Sequence, residues 1–502
     1  MKTIKQFALV FMTIVVLTTI MSCEKSNKQD PEPPVPSEQI IFNNNEIGSG
    51  VQEFEIKESH TIKKGVYVMK GWIYVTNGAT LTIESGTVIK GDKETKAALI
   101  VEMGGKIVAQ GTDDAPIVFT SNQPAGSRKP GDWGGIIICG KARNNKTEMI
   151  IEGGPRSKHG GDNDADNSGV LSYVRIEFAG YPFKTDQEIN GLTMGSVGNG
   201  TKIDHVQVSY SNDDSYEWFG GTVDAKYLIA YHGWDDDFDT DNGFRGRIQF
   251  ALGIRNPKIA DKSNSNGFES DNNSDGTTQS PITKPVFSNM TIVGPVGQDP
   301  LFVNTTSYID GASYNPANGS KLGQFQSALQ IRRSSNLNCY NSVAFGYLVG
   351  IMICNDKGSQ TQGAANAGSI NLKNLILAGM TILGSDKDAS FKDSLSVDAT
   401  TFDKTAPESF SSGFFKKSTN GNVNYASIAD IKISQPNSLI AGANWGPAAG
   451  SPLTNKSNLF TDANVADAFF DKVNFIGAFR SDASVDNWTS KWANFNPQNT
   501  SY

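Results

Sequence analysis

The residues best suited to chemistry lie in one stretch, residues 211–246, which reads SNDDSYEWFGGTVDAKYLIAYHGWDDDFDTDNGFRG. Leaving aside Asp224, this stretch holds eight closely spaced carboxylates: Asp213, Asp214, Glu217, Asp235, Asp236, Asp237, Asp239 and Asp241. Crowded carboxylates repel one another unless water, hydrogen-bond donors or a cation offset their charge. The stretch is therefore a candidate metal site, a candidate active site or a solvated acidic turn.

The spacing of the acids favours a metal site. Asp213 and Asp235 are separated by the same interval as Asp214 and Asp236, about 22 residues, a length typical of one repeat of a solenoid. If this interval forms one coil, both pairs stack at the same corner of neighbouring coils, about 4.8 Å apart. Calcium prefers several oxygen ligands of this kind. The sequence thus predicts a calcium site formed by Asp213, Asp214, Asp235, Asp236 and Asp237, although aspartate is also an ordinary turn residue.

A catalytic interpretation uses overlapping residues. Carboxylates, histidine and arginine can transfer protons when their surroundings shift their pKa values. The candidates are Asp213, Asp236, Asp237, His232 and Arg245. No intact hydrolase or lyase signature surrounds them, so catalysis is the alternative to binding.

Aromatic side chains alternate with the acids, as in sugar-binding clefts. The stretch therefore also predicts a ligand surface formed by Tyr216, Trp218, Trp234, Phe244 and Arg247. Aromatic residues at every second position can instead form ladders inside a stack of strands. We expect about half of the seven aromatic residues to point inward: Tyr216, Trp218, Phe219, Tyr231, Trp234, Phe238 and Phe244.

Short strands separated by glycine and asparagine must position these residues. Segments 203–211 and 225–233 repeat one pattern, and Val206 precedes Leu228 by the same interval as the paired acids. A period of this length without helices between the strands is typical of a solenoid. We predict an all-β fold, a right-handed single-stranded parallel β-helix with an N-terminal cap and a C-terminal capping region. A sandwich or propeller is less favoured, because two-residue Asn-Gly or Asp-Gly hairpin turns are sparse.

The N-terminus has the pattern of an export signal. Lys2 and Lys5 precede an apolar run that is short for a membrane span, and the run ends at Ser22 and Cys23. This resembles a bacterial lipoprotein signal peptide, residues 1–22, followed by a lipidated Cys23; an ordinary secretory signal is the alternative. Residues 23–38 are rich in proline and predict a tether between the lipid and the folded body.

Two further regions complete the predicted organisation. Residues 39–394 are assigned to the β-helix with its N-terminal cap. Residues 395–502 are assigned to the last coils and the C-terminal cap, and they include a helix-like piece at 462–473.

Composition and the remaining motifs narrow the function. The net charge of −8 argues against nucleic-acid binding, and four scattered histidines argue against a zinc site. Cys139, Cys339 and Cys354 lie in or beside apolar runs and are expected to be buried, while a disulfide between Cys339 and Cys354 stays open.

Four segments carry a family resemblance: 166–181, 191–228, 235–250 and 475–497. Together they resemble a family of secreted or lipid-anchored right-handed β-helix proteins that is common in Bacteroidota. The likeness spans residues 75–497. It implies a fold and an envelope location rather than a reaction.

These observations predict a lipid-anchored β-helix of the cell envelope, an outer-membrane lipoprotein exposed at the surface. Its expected ligand is extracellular, a glycan, bound without catalysis as an accessory of an outer-membrane uptake or adhesion system. An outer-membrane transporter is the expected partner, and contact with the membrane is through the lipid alone. The alternatives are a polysaccharide lyase or glycoside hydrolase that uses the acidic cluster, and a structural module that docks a partner.

Overall fold

The computed structural model describes residues 42–502 apart from residues 44, 51–52, 147–148, 185–186, 359 and 394–407. The predicted signal peptide, Cys23 and the tether therefore lie outside the described residues. Within the described part, no helix is long and apolar enough to cross a membrane.

Two long sheets of stacked strands form most of the fold, with strands numbered along the chain. Sheet A contains β1 (Phe42–Asn43), β2 (Glu46–Ile47), β4 (His60–Ile62), β5 (Val66–Met69), β7 (Thr80–Ile83), β8 (Val88–Gly91), β10 (Lys106–Gln110), β11 (Ile117–Ser121), β15 (Gly169–Glu177), β19 (Lys202–Ser209), β21 (Ala225–Tyr231), β23 (Arg247–Ile254), β25 (Val286–Val293), β27 (Asn338–Tyr340), β28 (Val343–Phe345), β30 (Leu372–Lys373), β31 (Ile376–Ala378) and β33 (Val423–Tyr425). Sheet B contains β3 (Glu53–Ile56), β6 (Trp72–Val75), β9 (Ala98–Val101), β12 (Gly135–Cys139), β18 (Leu192–Val197), β20 (Tyr216–Gly221), β22 (Phe238–Asp241), β24 (Phe268–Ser270), β26 (Ser327–Ile331), β29 (Val349–Ile353) and β32 (Ile382–Ser385).

The order of sheet B follows the order of the chain, because each coil adds one strand that pairs in parallel with the strand before it. Val206 pairs with Leu228 in sheet A and Tyr216 with Phe238 in sheet B, so this coil has the predicted repeat length in both sheets. The prediction of an all-β parallel β-helix is confirmed.

Sheet A bends along a line of residues with left-handed backbone conformation. Tyr173, His205, Tyr227 and Phe250 occupy equivalent positions on successive strands, with φ between 49° and 59°. This region is unfavourable for residues other than glycine, and a residue placed there turns the strand locally. The two halves of sheet A and sheet B therefore enclose the core.

Apolar side chains fill the interior from coil to coil. One inward row of sheet B runs through Leu192, Tyr216, Phe238, Phe268 and Leu329, all at most 3% exposed. Full burial of one such side chain is worth about 1.5–3 kcal/mol, so the stacked rows supply much of the stability.

The three cysteines of the described chain are buried and free. Their predicted burial is confirmed. The disulfide between Cys339 and Cys354 that the sequence left open is not formed.

Small elements complete the fold. The antiparallel pairs are β13 (Met149–Ile150) with β14 (Lys158–His159), β16 (Pro182–Lys184) with β17 (Gln187–Glu188), and β34 (Ile433–Gln435) with β35 (Asn444–Pro447). The helices are α1 (Pro295–Gln298), α2 (Thr361–Asn366) and α3 (Phe410–Phe415), with 3₁₀ turns at Ala312–Tyr314, Ser418–Asn420, Ile428–Ile431, Ser484–Asp486 and Pro497–Asn499.

The C-terminal residues follow a path that the sequence did not predict. β33 pairs in parallel with β31 and so extends the coils, but residues 475–502 then return along the outside of sheet A. The Asn494 backbone NH donates to the Gln207 side chain (2.8 Å) and the Tyr502 hydroxyl donates to Glu177 (2.7 Å). The helix predicted at 462–473 is wrong, since that segment forms turns.

Candidate functional site

One row of sheet B changes character along the β-helix. In register, it runs through Tyr74, Ile100, Ile137, Thr193, Glu217, Asp239, Glu269, Gln330 and Met352. The first three pack in an apolar cluster with Ile151 and Ile189. Acidic side chains therefore occupy three consecutive coils in the middle of this row. Like charges placed directly opposite each other on neighbouring strands are destabilising.

The adjoining corner adds further acids. We use the name acidic face for the carboxylates of this row and corner that lie between residues 213 and 241: Asp213, Asp214, Glu217, Asp235, Asp236, Asp239 and Asp241.

The first of two carboxylate groups on the acidic face combines Asp213, Asp214 and Asp235. One carboxylate oxygen from each lies within 4.8 Å of the others. Calcium binds oxygen at about 2.3–2.6 Å, so ligands on opposite sides of one ion are about 4.8 Å apart. One oxygen of Asp235, Oδ1, is buried without a hydrogen-bond partner. The structure thus brings together three of the five residues predicted as metal ligands.

The second group combines Asp214 with Glu217 and Asp239, again with one oxygen from each within 4.8 Å of the others. The sequence analysis counted Glu217 and Asp239 among the acids but assigned them no metal role. The interval between them, the same as that from Asp213 to Asp235, was the signal that could have found them.

Asp236 and Asp237 belong to neither group, and each carboxylate has another partner. The Asp236 carboxylate accepts a hydrogen bond from the backbone NH of Asn266. Asp237 forms an ion pair with Arg255 at 2.9 Å, and both side chains are fully buried. Burial raises the pKa of Asp237 to about 6, with Arg255 opposing the rise. The structure therefore does not group Asp236 and Asp237 with the other three predicted metal ligands: Asp237 is paired in the interior, and Asp236 binds the backbone of the neighbouring coil.

The two predicted proton-transfer groups also lie outside the acidic face. His232 is 1% exposed, and its ring nitrogens contact the hydroxyls of Tyr210 and Ser438, each at 3.1 Å. Burial holds the pKa of His232 well below its usual range. Arg245 pairs with Asp164 at 3.2 Å. The partners of both residues lie outside the acidic face, so the structure does not bring these two catalytic candidates together with its carboxylates.

The predicted aromatic ligand surface is wrong. Each of its four rings is fully buried, with an exposed fraction of 0%: Tyr216, Trp218, Trp234 and Phe244. Three of them pack in the main core and Trp234 in a second apolar cluster. The other three aromatic residues of the stretch are buried too, so more of them point away from solvent than the expected half. Arg247, the fifth predicted ligand residue, instead pairs with Asp224 and with Asp467 (2.6 Å).

Burial and mutual repulsion disfavour the charged forms of the acids. The pKa of Asp214 is raised well above its usual range by burial and then by Asp213, and that of Asp239 by burial and then by Glu269. The pKa of Glu217 is also raised well above its usual range, by burial and then by the charge of Glu152. The unpaired anionic form of this face is therefore costly.

Cations compensate only one end of the acidic row. Arg332 contacts Glu269, Asp271 (3.0 Å) and Asp388 (3.1 Å). In contrast, no lysine or arginine of the described residues forms an ion pair with Asp214, Glu217 or Asp239. Among the described residues, the acids without a cationic partner thus include the whole of the second carboxylate group. Their oxygen ligands suit a hard cation such as calcium.

Comparison with known proteins identifies the family of the chain. No curated protein and no solved structure is significantly similar to the chain. Residues 54–421 match a family model described as a pectate-lyase-like β-helix domain. The match covers more than half of the chain and spans the parallel coils from β3 to β32. The chain therefore belongs to the family of pectate-lyase-like β-helix domains.

Proposed function

We propose that the protein is a lipid-anchored β-helix of the cell envelope that binds an extracellular glycan through calcium, without cleaving it. The observation that carries this proposal is the convergence of Asp213, Asp214 and Asp235 on a partly exposed corner of the β-helix. A calcium ion there would keep coordination positions open to the hydroxyl or carboxylate oxygens of a sugar.

The position of the C-terminal residues supports sheet B as the binding side. Trp488 and Trp492 lie with their rings edge-on to His205 of sheet A, at centroid distances of 6.5 and 5.6 Å. Residues 475–502 therefore occupy part of the outer surface of sheet A. On the acidic face, in contrast, the described part of the chain leaves Asp213, Asp235 and Asp239 partly exposed.

The charge of the acidic face indicates which glycans would depend most on calcium. A carboxylate-rich surface repels a uronate-bearing glycan, whereas a bound divalent cation reverses the local charge and can bridge the two. Since the nearby aromatic rings are buried, recognition would rest on the cation and polar groups rather than on ring stacking. We therefore expect an anionic glycan.

The positions of the cationic residues favour binding over cleavage by a lyase. A lyase that uses arginine or histidine needs that group beside the bound sugar. Arg332, the arginine that contacts the acidic row, is largely buried and is held by three carboxylates. His232 and Arg245 lie elsewhere.

The envelope location is supported by the sequence of residues 1–38 alone. The proposed role as an accessory of an outer-membrane uptake or adhesion system, with a transporter as partner, depends on this location. The rigid coils and the tether suit a protein that presents one binding surface away from a membrane.

A glycan panel tests the function. Purified protein would be incubated with acidic and neutral polysaccharides in calcium or in chelator, with retained glycan and released ends measured. We expect calcium-dependent retention of an acidic glycan without product, lost in Asp213→Asn and Asp235→Asn but kept in Asp310→Asn, an exposed carboxylate on another loop. Equal retention in chelator would contradict the proposal, and product release that stops in the first two variants would establish the lyase or hydrolase.

A further inference from the structure

The bend of sheet A carries a stack of aromatic rings. The ring centroids of Tyr173 and His205 lie 4.3 Å apart, those of His205 and Tyr227 lie 4.4 Å apart, and Phe250 follows at 5.2 Å. Unlike the four rings that the sequence predicted as a ligand surface, Tyr173, His205 and Tyr227 are all partly exposed. Neighbouring rings cover both faces of His205 and of Tyr227. On Tyr173, which begins the stack, no second ring of the described residues is stacked.

The bend of the preceding coil explains why the stack begins at Tyr173. There, residues 111–116 form a loop where the next coil has Tyr173 alone. Gly111 continues the register opposite Tyr173 and has no side chain to place on the ring. The loop closes through two backbone hydrogen bonds between Thr112 and Ala115, each 3.2 Å long. One face of the Tyr173 ring therefore lacks an aromatic neighbour and lies beside this loop.

A surface depression of about 540 Å³ lies between the loop and the stack. Tyr173, His205 and Tyr227 line one side of it, and Asp113 lines the other. Binding sites for small molecules have volumes of about 300–1,000 Å³. Residues 475–502, which cover another part of sheet A, lie beside the depression rather than in its lining. The depression is thus large enough for a small ligand and open to one.

The charges that line this depression balance, in contrast to those of the acidic face. Two carboxylates, Asp113 and Asp204, accompany two ammonium groups, Lys202 and Lys226. An anionic sugar gains little net attraction from such a lining, whereas hydroxyl groups can donate to the carboxylates and accept from the lysines. An aromatic face beside a few polar groups suits the apolar face and the hydroxyls of an uncharged pyranose.

Asp204 is a polar group that is already held in position. Its carboxylate accepts a hydrogen bond from the Ser172 hydroxyl (2.7 Å), contacts Nδ1 of His205 (3.0 Å) and pairs with Lys202 (2.9 Å). Burial would raise the pKa of Asp204, but the hydrogen bonds from His205, Lys202 and Ser172 lower it to about 2. Asp204 is therefore an anionic acceptor at neutral pH, and its fixed position reduces the entropy that binding would cost.

We propose that this depression on sheet A binds an uncharged pyranose unit of a glycan, with the ring of Tyr173 packing on the sugar and Asp204 accepting hydrogen bonds from its hydroxyls. The proposal goes beyond calcium-dependent binding of an anionic glycan. It concerns the other sheet, requires no cation and shares no residue with the acidic face.

Calorimetric titration with cellohexaose, mannohexaose and xylohexaose in excess chelator tests the proposal. Wild-type protein should bind at least one of these uncharged probes. Tyr173→Ala should lower its affinity about tenfold or more, because the ring face is lost, whereas Tyr173→Phe should keep the affinity within about threefold. Asp204→Asn should lower it about tenfold, because a charged acceptor becomes neutral. Tyr181→Ala is the matched control and should bind as wild type, since Tyr181 is partly exposed but lies outside the depression.

Two further comparisons separate this site from folding and from the acidic face. Unchanged circular dichroism would establish that Tyr173→Ala folds, and Asp204→Asn keeps the size of the side chain. Asp213→Asn should bind the uncharged probe as wild type does, while it loses the calcium-dependent glycan, so the two proposals can fail separately. Failure of every probe to bind wild-type protein, or wild-type affinity in either Tyr173→Ala or Asp204→Asn, would overturn the site on sheet A.

Discussion

Glu217 and Asp239 lie directly opposite each other on neighbouring parallel strands, and no lysine or arginine of the described residues pairs with either. Two aligned carboxylates at a strand separation of about 4.8 Å repel each other unless a proton or a cation intervenes. Because Glu217 is also only 5% exposed, solvent screens this repulsion poorly. The regular stacking of the coils therefore creates a pair whose charge a bound cation or a proton would offset.

Calcium should raise the melting temperature. A ligand that binds only the folded state stabilises it by about 2.7 kcal/mol at a hundredfold excess over Kd. Thermal unfolding in millimolar calcium and in excess chelator would measure the shift. Asp214→Asn should remove most of the rise, because its carboxylate belongs to both groups, and Asp235→Asn should remove part of it. Identical melting of wild-type protein in both buffers would identify the acidic face as a solvated acidic turn.

Arg255 should contribute to stability through Asp237. Removing one partner of a fully buried ion pair leaves an uncompensated charge and costs about 3–5 kcal/mol. We therefore expect Arg255→Met to lower the free energy of unfolding by that amount in urea titrations, and Asp237→Asn in the same chain to restore part of it. Arg247→Met is the matched control, because its ion pairs are partly exposed and a loss of about 1 kcal/mol or less is expected. An equal loss of unfolding free energy in Arg255→Met and Arg247→Met would contradict this account.

Trp218 should act in the core rather than in ligand binding. Its ring is fully buried and stacks on Phe244 at a centroid distance of 5.3 Å. Replacing a buried tryptophan with alanine costs about 3–5 kcal/mol. Trp218→Ala should therefore destabilise the protein strongly, whereas Trp218→Phe should fold and bind glycan with wild-type affinity. Weakened glycan binding by a fully folded Trp218→Phe protein would restore the ring as a ligand contact.

The coil register was predictable because it repeats. One interval recurs locally along the chain, and the pairs Val206–Leu228 and Tyr216–Phe238 follow from it directly. Side-chain direction at the corners was not predictable in this way. His232 has a φ of 59°, and a left-handed residue breaks the alternation of inward and outward positions that holds along a strand.

Contacts between residues that are distant in sequence were not predictable either. Asp237 pairs with Arg255, which follows a different strand, so the residues next to Asp237 in the sequence could not identify its ion-pair partner. The return of residues 475–502 along sheet A depends on contacts with Gln207 and Glu177, several coils away. Local periodicity carries no information about such contacts, and for this reason the candidate site was predicted only in part.

His159 should make the protein sensitive to acid. Its ring is fully buried on β14, with Nδ1 at 2.9 Å from the Ser196 hydroxyl, and burial lowers its pKa from 6.5 to about 4. The unfolded chain therefore takes up a proton first as the pH falls. The contribution of the neutral His159 ring to the free energy of unfolding is complete above pH 6.5. It is lost between pH 6.5 and 4, by about 1.4 kcal/mol per pH unit.

Urea titrations at pH 7 and pH 5 would measure this loss, which should reach about 2 kcal/mol. The comparison is with His159→Asn, which keeps a polar atom near the position of Nδ1 but cannot take up the proton. Other acids titrate in both proteins, so the difference between the two isolates His159. Equal losses in wild-type and variant protein would show that the imidazole does not control the acid response.

Cys23 should determine where the protein resides. The apolar run before it ends at Ser22, as in a bacterial lipoprotein signal, and the proline-rich tether follows. A diacylated chain attaches stably to a membrane, because two buried acyl chains hold it where one does so only marginally. Cells fed labelled fatty acid should therefore label the wild-type protein but not Cys23→Ser, which should leave the membrane fraction. Digestion of intact cells by protease should remove the wild-type protein, since the tether is expected to present it outward; complete protection would place it on the periplasmic side, and labelled Cys23→Ser would contradict the lipid anchor.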